Sequence, residues 1–205
     1  MELLTIITVI GGIILTLGYL PQLVKLKQTG DTSGINNSFW YLITIAVTIT
    51  AINLIADSAP VILIIIQITN AILAGVVLMA VHLYRGQDKW LLAPVVIFIV
   101  MVVLTTILPL EITQSLSSLA IVVAYITQLI TLVKSPKVSG VSPSLYILIA
   151  LGLGIMATKM FVTEVTPYII TTELINIILL LTCAGLSLFY QNRPMTITIE
   201  EPIKK

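Results

Sequence analysis

The sequence predicts an all-α integral membrane protein of seven closely spaced helices. Three observations carry that prediction: a composition too apolar for a soluble domain, seven apolar runs of spanning length, and an internal repeat that relates the two halves of the chain. Of the 205 residues, 58% are hydrophobic and only 9% charged, with a mean hydropathy of +1.14. That is more apolar surface than a single water-soluble core of this size can hide, so lipid must be part of the solvent.

A spanning helix needs roughly 20 mostly apolar residues to cross about 30 Å of hydrocarbon. Runs of that kind fall at Leu3–Leu26, Ile35–Ala56, Pro60–Tyr84, Trp90–Leu108, Ile112–Val133, Val141–Val162 and Pro167–Tyr190. The start Met1-Glu2-Leu3 lacks the basic region of a cleaved signal peptide and is expected to enter the first span directly. The sole cysteine, Cys183, falls inside the last span, which excludes an internal disulfide or a cysteine-rich metal site.

Charge predicts the orientation. Lys25 and Lys27, Arg85 and Lys89, Lys134 and Lys137, and Arg193, Lys204 and Lys205 all fall on one side of the seven spans. The opposite connections hold Glu2, Asp57, Glu111 and Glu164 and no Lys or Arg. The positive-inside rule then places the N-terminus outside and the C-terminus in the cytoplasm. The net charge of +1 is accounted for by topology, and nucleic acid is not an expected partner. Short loops without luminal glycosylation sites point to a prokaryotic plasma membrane. The Asn36-Asn37-Ser38 sequon lies on the cytoplasmic side and is expected to be silent.

A shift of 106 residues lays Gly18-Tyr19-Leu20-Pro21-Gln22-Leu23 over Ala124-Tyr125-Ile126-Thr127-Gln128-Leu129. The register persists without a gap: Ser33-Gly34 falls on Ser139-Gly140, Ser38 on Ser144, Trp40 on Tyr146 and Asn70 on Asn176. Matches at Tyr, Gln, Ser-Gly and Asn are not what chance similarity of apolar segments produces. The expected plan is therefore two three-helix bundles in parallel orientation, residues 1–88 and 111–192, joined by a linker helix in 89–110 and followed by a tail, 193–205. This 3+1+3 plan is a known transporter architecture, with its site near the midplane between the halves.

Pro21-Gln22 near the inner end of span one, the basic Ser/Gly-containing loop after it and the echo at Thr127-Gln128 resemble the PQ-loop proteins, relatives of the SWEET sugar transporters. The resemblance covers nearly the whole chain. It implies a superfamily of sugar transporters and facilitators, lysosomal and vacuolar exporters of amino acids and cystine, and retrieval receptors of the endoplasmic reticulum. Fold transfers better than substrate across such a set. Two positions depart from the pattern: Thr127 stands where proline is usual, and Asn37 lacks the proline found at its repeat partner Pro143.

Physical chemistry gives these residues roles of their own. Pro21 lacks an N–H and crowds the carbonyl four residues back, so it should bend span one and act as a hinge. Gln22 and Gln128 can bond freed carbonyls or a neighbouring helix, as gate or as structural glue. Within the spans, polar groups should face the bundle or a wet cavity. Gln67 and Asn70 share one face of span three, and Glu173 and Asn176 repeat that pair on span seven. Asn176 should lie roughly 13 Å, and Glu173 roughly 9 Å, below the outer end of their span.

In the related sugar transporters an asparagine on each third helix binds substrate, and Asn70 and Asn176 match those positions. The aromatic that those transporters carry about 17 residues earlier is replaced here by Asn53 and Lys159. Lys159 and Glu173 are predicted at similar depth, where an ion pair would offset the desolvation of both. Asn53, Lys159, Glu173 and the two asparagines together favour an amino acid or organic acid over a sugar, with Glu173 the candidate for proton coupling. The bland reading leaves the asparagines joining helices and Lys159 snorkelling to the interface. Trp40 and Trp90 are expected in an interfacial belt, and His82 beside Arg85 is expected to be interfacial rather than a metal ligand. No cofactor or metal is expected. No catalytic constellation occurs within the spans, so an enzyme is not expected; the rival class is a receptor that binds a charged ligand without moving it. A homo-oligomer is compatible with all of this.

Overall fold

The computed structural model describes residues 2–135, 137–162 and 167–192, with backbone alone at residues 2, 159, 160, 162 and 167–169. Every regular element among them is helical: α1 (Glu2–Leu17), α2 (Tyr19–Thr29), α3 (Asn37–Ala56), α4 (Val61–Tyr84), a short 3₁₀ turn (Asp88–Trp90), α5 (Ala93–Ile107), α6 (Leu110–Lys134), α7 (Pro143–Val162) and α8 (Pro167–Gln191). Six continuous helical segments, with α1 and α2 taken together, are long and apolar enough to cross a membrane, and α7 adds a further apolar helix.

Proline and glycine punctuate the chain where backbone geometry demands it. α7 and α8 begin on Pro143 and Pro167, and α4 and α6 directly follow Pro60 and Pro109. At a helix start the missing N–H has no intrahelical role and the fixed φ is already helical. Pro143 is thus a helix initiator, level with Asn37, the first residue of α3. α2 stops at Gly30, whose left-handed φ of 62° lets its N–H close on Leu26 O.

Pro21 sits inside the first apolar run. It cannot donate to the carbonyl of Leu17, and the helix breaks one residue later, at Gly18, into α1 and α2. The single span expected at Leu3–Leu26 is therefore two helical segments. Thr127, 106 residues on, retains its N–H, and α6 runs unbroken through it.

Six helical rods close a ring: α1 packs on α4, α4 on α3, α3 on α6, α6 on α8, α8 on α7, and α7 back on α1. α5 lies outside the ring against α3 and α4. Small residues set the tightest crossing. A Cβ added to Gly152 of α7 would come within 2.6 Å of both Gly11 O and Leu15 N on α1, so backbone meets backbone there. Large apolar side chains of α5, such as Phe98 and Ile107, are exposed on its outer face, as lipid contact requires.

Two aromatic and imidazole positions differ from expectation. Trp40 is only 2% exposed, against 49% for Trp90. It packs inside the ring, its ring centroid 4.9 Å from Phe39 and 6.1 Å from Tyr19, because the inward face of α3 is turned to the bundle axis at that level. Trp90 alone of the two has the exposure of a belt residue. His82 is buried rather than interfacial, with Nε2 paired to Tyr41 Oη at 2.8 Å and Nδ1 to Gln87 Oε1 at 2.9 Å. Both ring nitrogens are occupied, which gives it a structural role.

Glycine substitutions test the packing. Gly152→Ala and Gly140→Ala, the latter bringing a Cβ to 2.5 Å from Asp31 O, force backbone apart and should each cost about 1–3 kcal/mol. Gly154→Ala on α7 meets nothing within 4 Å and should be neutral or stabilising by up to about 1 kcal/mol. Melting temperatures in detergent check this; equal effects at 152 and 154 would refute the close crossing.

Candidate functional site

The ring encloses a cavity of about 490 Å³ to which all six rods contribute. Its walls follow α1 from Thr8 to Leu15, α3 from Ile43 to Leu54, and α6 from Glu111 to Tyr125, with Tyr19 of α2 beside them. Leu54, Leu63 and Glu111 of its wall lie at the end of the bundle that carries the α3–α4 and α5–α6 connections. Glu111, exposed at the first turn of α6, marks the mouth.

Four of the residues predicted for the site line this cavity: Gln67, Asn70, Glu173 and Asn176. On α4, Gln67 Nε2 donates to Val47 O at 3.3 Å, and Asn70 Nδ2 donates to Gln67 Oε1 at 3.4 Å. On α8 the spacing recurs, with Glu173 three residues before Asn176 and both on the cavity wall. Asn70 and Asn176 are 3% and 2% exposed. Asn70 Oδ1, Asn176 Oδ1 and Glu173 Oε2 are buried without a hydrogen-bond partner. Orphaned polar atoms in so apolar a bundle are costly unless something in the cavity meets them.

Of the other two, Asn53 is not brought in. Asn53 accepts from Thr113 Oγ1 at 3.0 Å and ties α3 to α6 outside the cavity wall. The side chain of Lys159 lies outside the described residues, so its pairing with Glu173 does too.

Below the two tyrosines the bundle is shut in layers. Phe39 stands 5.8 Å from Tyr125 and 6.3 Å from Tyr146 by ring centroids, and with Trp40 these rings fill the axis. The next layer is an exchange between the halves. Gln22 Nε2 donates to Gly140 O at 2.9 Å while its Oε1 accepts from Ser142 N at 2.8 Å. Gln128 Nε2 donates to Gly34 O at 2.8 Å while its Oε1 accepts from Asn36 N at 3.1 Å. Each glutamine thus grips the loop of the other half, through residues 106 positions apart in every case.

The same spacing governs the supports. Arg85 Nη2 donates to Ile35 O at 2.6 Å and to Thr32 O at 3.3 Å, and its Nη1 reaches Asn37 Oδ1. Gln191, 106 residues later, donates to Val141 O at 2.7 Å and Val138 O at 3.1 Å. Asn36 caps α3 through Phe39 N and also donates to Thr127 O and Thr131 Oγ1 on α6. The sequon asparagine is thereby engaged in the latch.

At the surface of this end two equivalent positions meet each other. Ser33 Oγ and Ser139 Oγ are 3.1 Å apart, and Lys137 Nζ is 2.9 Å from Asp31 Oδ2. The hydroxyl of Ser139, the N–H of Ser33 and the Lys137 ammonium hold the Asp31 carboxyl well below the usual carboxylate range.

Sequence reasoning found the cavity asparagines but missed most of the latch and the polar wall of α6. There Thr50 Oγ1 and Ser117 Oγ pair at 2.9 Å, and Ser117 donates to Ala46 O. The run Thr113-Gln114-Ser115-Leu116-Ser117-Ser118, unusually polar for a span, was the available signal.

Because the Asp31 carboxyl is depressed in the folded state, its stabilisation is complete above its ordinary value of 3.8 and is lost as pH falls below it. Melting temperatures followed from pH 7 to pH 3 should fall less steeply in Asp31→Asn than in the native protein; identical slopes would remove Asp31 from the latch. Comparison of the chain with protein-family models, curated proteins and solved structures returns no match.

Proposed function

We propose that this chain moves a small polar solute across the bilayer by alternating access, on the plan of the PQ-loop and SWEET-like transporters. Residues 1–88 and 111–192 would form two parallel three-helix units, α1/α2–α4–α3 and α6–α8–α7, with α5 as the linker. The observation that carries the reading is a cavity with a few polar side chains in a largely aliphatic wall, open at one end and closed at the other by the bonds of Gln22 and Gln128.

Support comes from the kind of contact involved. Gln22 and Gln128 bind opposite loops with the same atoms, so separating the units at that end breaks both grips together. Under the positive-inside reading, the end with Lys25, Arg85 and Lys137 faces the cytoplasm, in a prokaryotic cell the interior side of its plasma membrane. The conformation described would then be outward-open and inward-closed. Asn70, Asn176, Glu173 and Gln67 would form the binding site. Glu173, with an unpartnered carboxylate oxygen in the cavity, is the group through which a proton would couple. The break at Pro21 gives the first unit a joint between its cavity half and its latch half, at the level of the tyrosine floor.

Counterflow in proteoliposomes loaded with a mixed pool of amino acids, organic acids, amines and sugars tests transport, and Asn176→Ala should abolish it. Ser33→Cys with Ser139→Cys places two thiols where hydroxyls now stand 3.1 Å apart, with Cys183 buried and out of reach. Oxidation should stop counterflow and reductant should restore it. Persistent flux in the cross-linked protein would show that this end is not the gate. Saturable binding without flux in any state would favour the receptor reading.

A further inference from the structure

The direction of the hydrogen bonds from Gln67 and Asn70 is fixed by a group that can only accept. Val47 O is a backbone carbonyl, so Gln67 must turn its amide nitrogen towards it at 3.3 Å. That leaves Gln67 Oε1 facing Asn70, which must therefore present its own nitrogen, at 3.4 Å. Asn70 Oδ1 is then turned away from Gln67, buried and without a partner. On α8, three residues after Glu173, Asn176 Oδ1 is likewise buried and without a partner. So is Glu173 Oε2.

Among the described residues, the three buried atoms of this wall without a partner are thus two amide oxygens and, in an ionised Glu173, a carboxylate oxygen, all acceptors. The only other such atom among the described residues, Ser187 Oγ, lies outside the cavity. Charge has the same sign: the ionisable carboxylates on the wall are Glu111 and Glu173, and no Lys, Arg or His contributes to it among the described residues. The remaining wall is largely aliphatic, with Val47, Ile66, Ile149 and Leu153.

We propose that the site takes an organic ammonium, a protonated primary amine whose three N–H donors meet Asn70 Oδ1, Asn176 Oδ1 and Glu173 Oε2. An ammonium carries donors and no acceptor and compensates the Glu173 charge, while its carbon skeleton faces the aliphatic wall. A carboxylate would set acceptor against acceptor. A neutral polyol would supply donors but bring no positive charge to the carboxylates of the wall. The expectation of an amino acid or organic acid rested on Asn53, Lys159, Glu173 and the two asparagines together, and of these the side chain of Lys159 lies outside the described residues. The proposal rests on reading this cavity as the solute site, but not on the solute being moved.

Four probes that share a two-carbon unit separate the terms: ethanolamine, its larger N-trimethyl analogue choline, ethylene glycol and glycolate. Equilibrium binding to the full chain in nanodiscs should show ethanolamine binding. Choline, which keeps the charge and loses every N–H, should bind about tenfold or more weakly, and the other two should not compete. Glu173→Gln, close in shape, should weaken ethanolamine by about tenfold or more while its melting temperature reports intact folding. Binding of glycolate or ethylene glycol as tight as ethanolamine, choline equal to ethanolamine, or no binding of any probe at millimolar concentration would each overturn the proposal. The same probes are then tried in counterflow. Ethanolamine bound but not exchanged would sustain the ammonium site and defeat the transport reading, and glycolate exchanged in its place would do the reverse.

Discussion

The grip of each glutamine on the opposite loop is the contact from which the rest of the arrangement follows. A primary amide is the one uncharged side chain that can donate to a carbonyl and accept from an N–H two residues further on, so it replaces a short piece of backbone pairing. Gln22 does this for Gly140 and Ser142, and Gln128 does it for Gly34 and Asn36. Loops that would otherwise carry unsatisfied backbone groups into an apolar bundle are thereby satisfied, and both are drawn to the axis. Tight seating demands glycine next to them. Gly34 has a φ of 76°, and a Cβ there would lie 2.9 Å from Val138 Cα. With the two loops on the axis, the aromatic rings of Phe39, Trp40, Tyr125 and Tyr146 fill the space above, and the cavity begins only past Tyr19 and Tyr125.

Equivalent positions are filled by different chemistry, and the differences are informative. Arg85 and Gln191 both strap the carbonyls of a loop, yet one is a cation and the other neutral. Gln191 in turn accepts from Lys25 Nζ at 3.1 Å, so a positive charge reaches that position indirectly. Pro21 and Thr127 occupy one position with opposite effects on the helix, one breaking it and the other leaving it whole. Asp31 and Lys137 are the same position with opposite charge, and that inequality lets a charged residue near the axis pair with its own counterpart. Two identical charges at this position would repel each other.

These cases also show what could be read from residues alone. Asn70, Asn176, Gln67 and Glu173 were legible because a polar side chain in an apolar span is expensive and needs a reason, and three-residue spacing put each pair on one face. The spans themselves were legible from hydropathy, to within a few residues. The straps were not: Arg85 reads as an ordinary interfacial charge, and nothing about Gln191 advertises a match to it. Asn53 misled because a polar residue near a helix end looks the same whether it faces a cavity or a threonine on the next helix. Trp40 misled because residue type and position near a span end cannot tell an inward from an outward face. Gly34 and Gly140 were seen as a repeat, while their purpose depended on a partner more than 90 residues away in sequence.

The material of the closed end suits a contact that must break under the proposed cycle. Four hydrogen bonds from Gln22 and Gln128, at a net value of about 0.5–1.5 kcal/mol each, give roughly 2–6 kcal/mol in favour of closure if water replaces them on opening. That is the range over which differential binding of a solute can invert a two-state equilibrium, about 5.5 kcal/mol for a swing from 1:99 to 99:1. A seal made only of interlocked aliphatic side chains would gain nothing from water entry and would have to lose its burial outright. Amide-to-backbone bonds are directional enough to set the register of the loops and exchangeable enough with water to be given up. The aromatic layer above them keeps water from the latch while it is closed, so the bonds hold at full strength only in the state where they are needed.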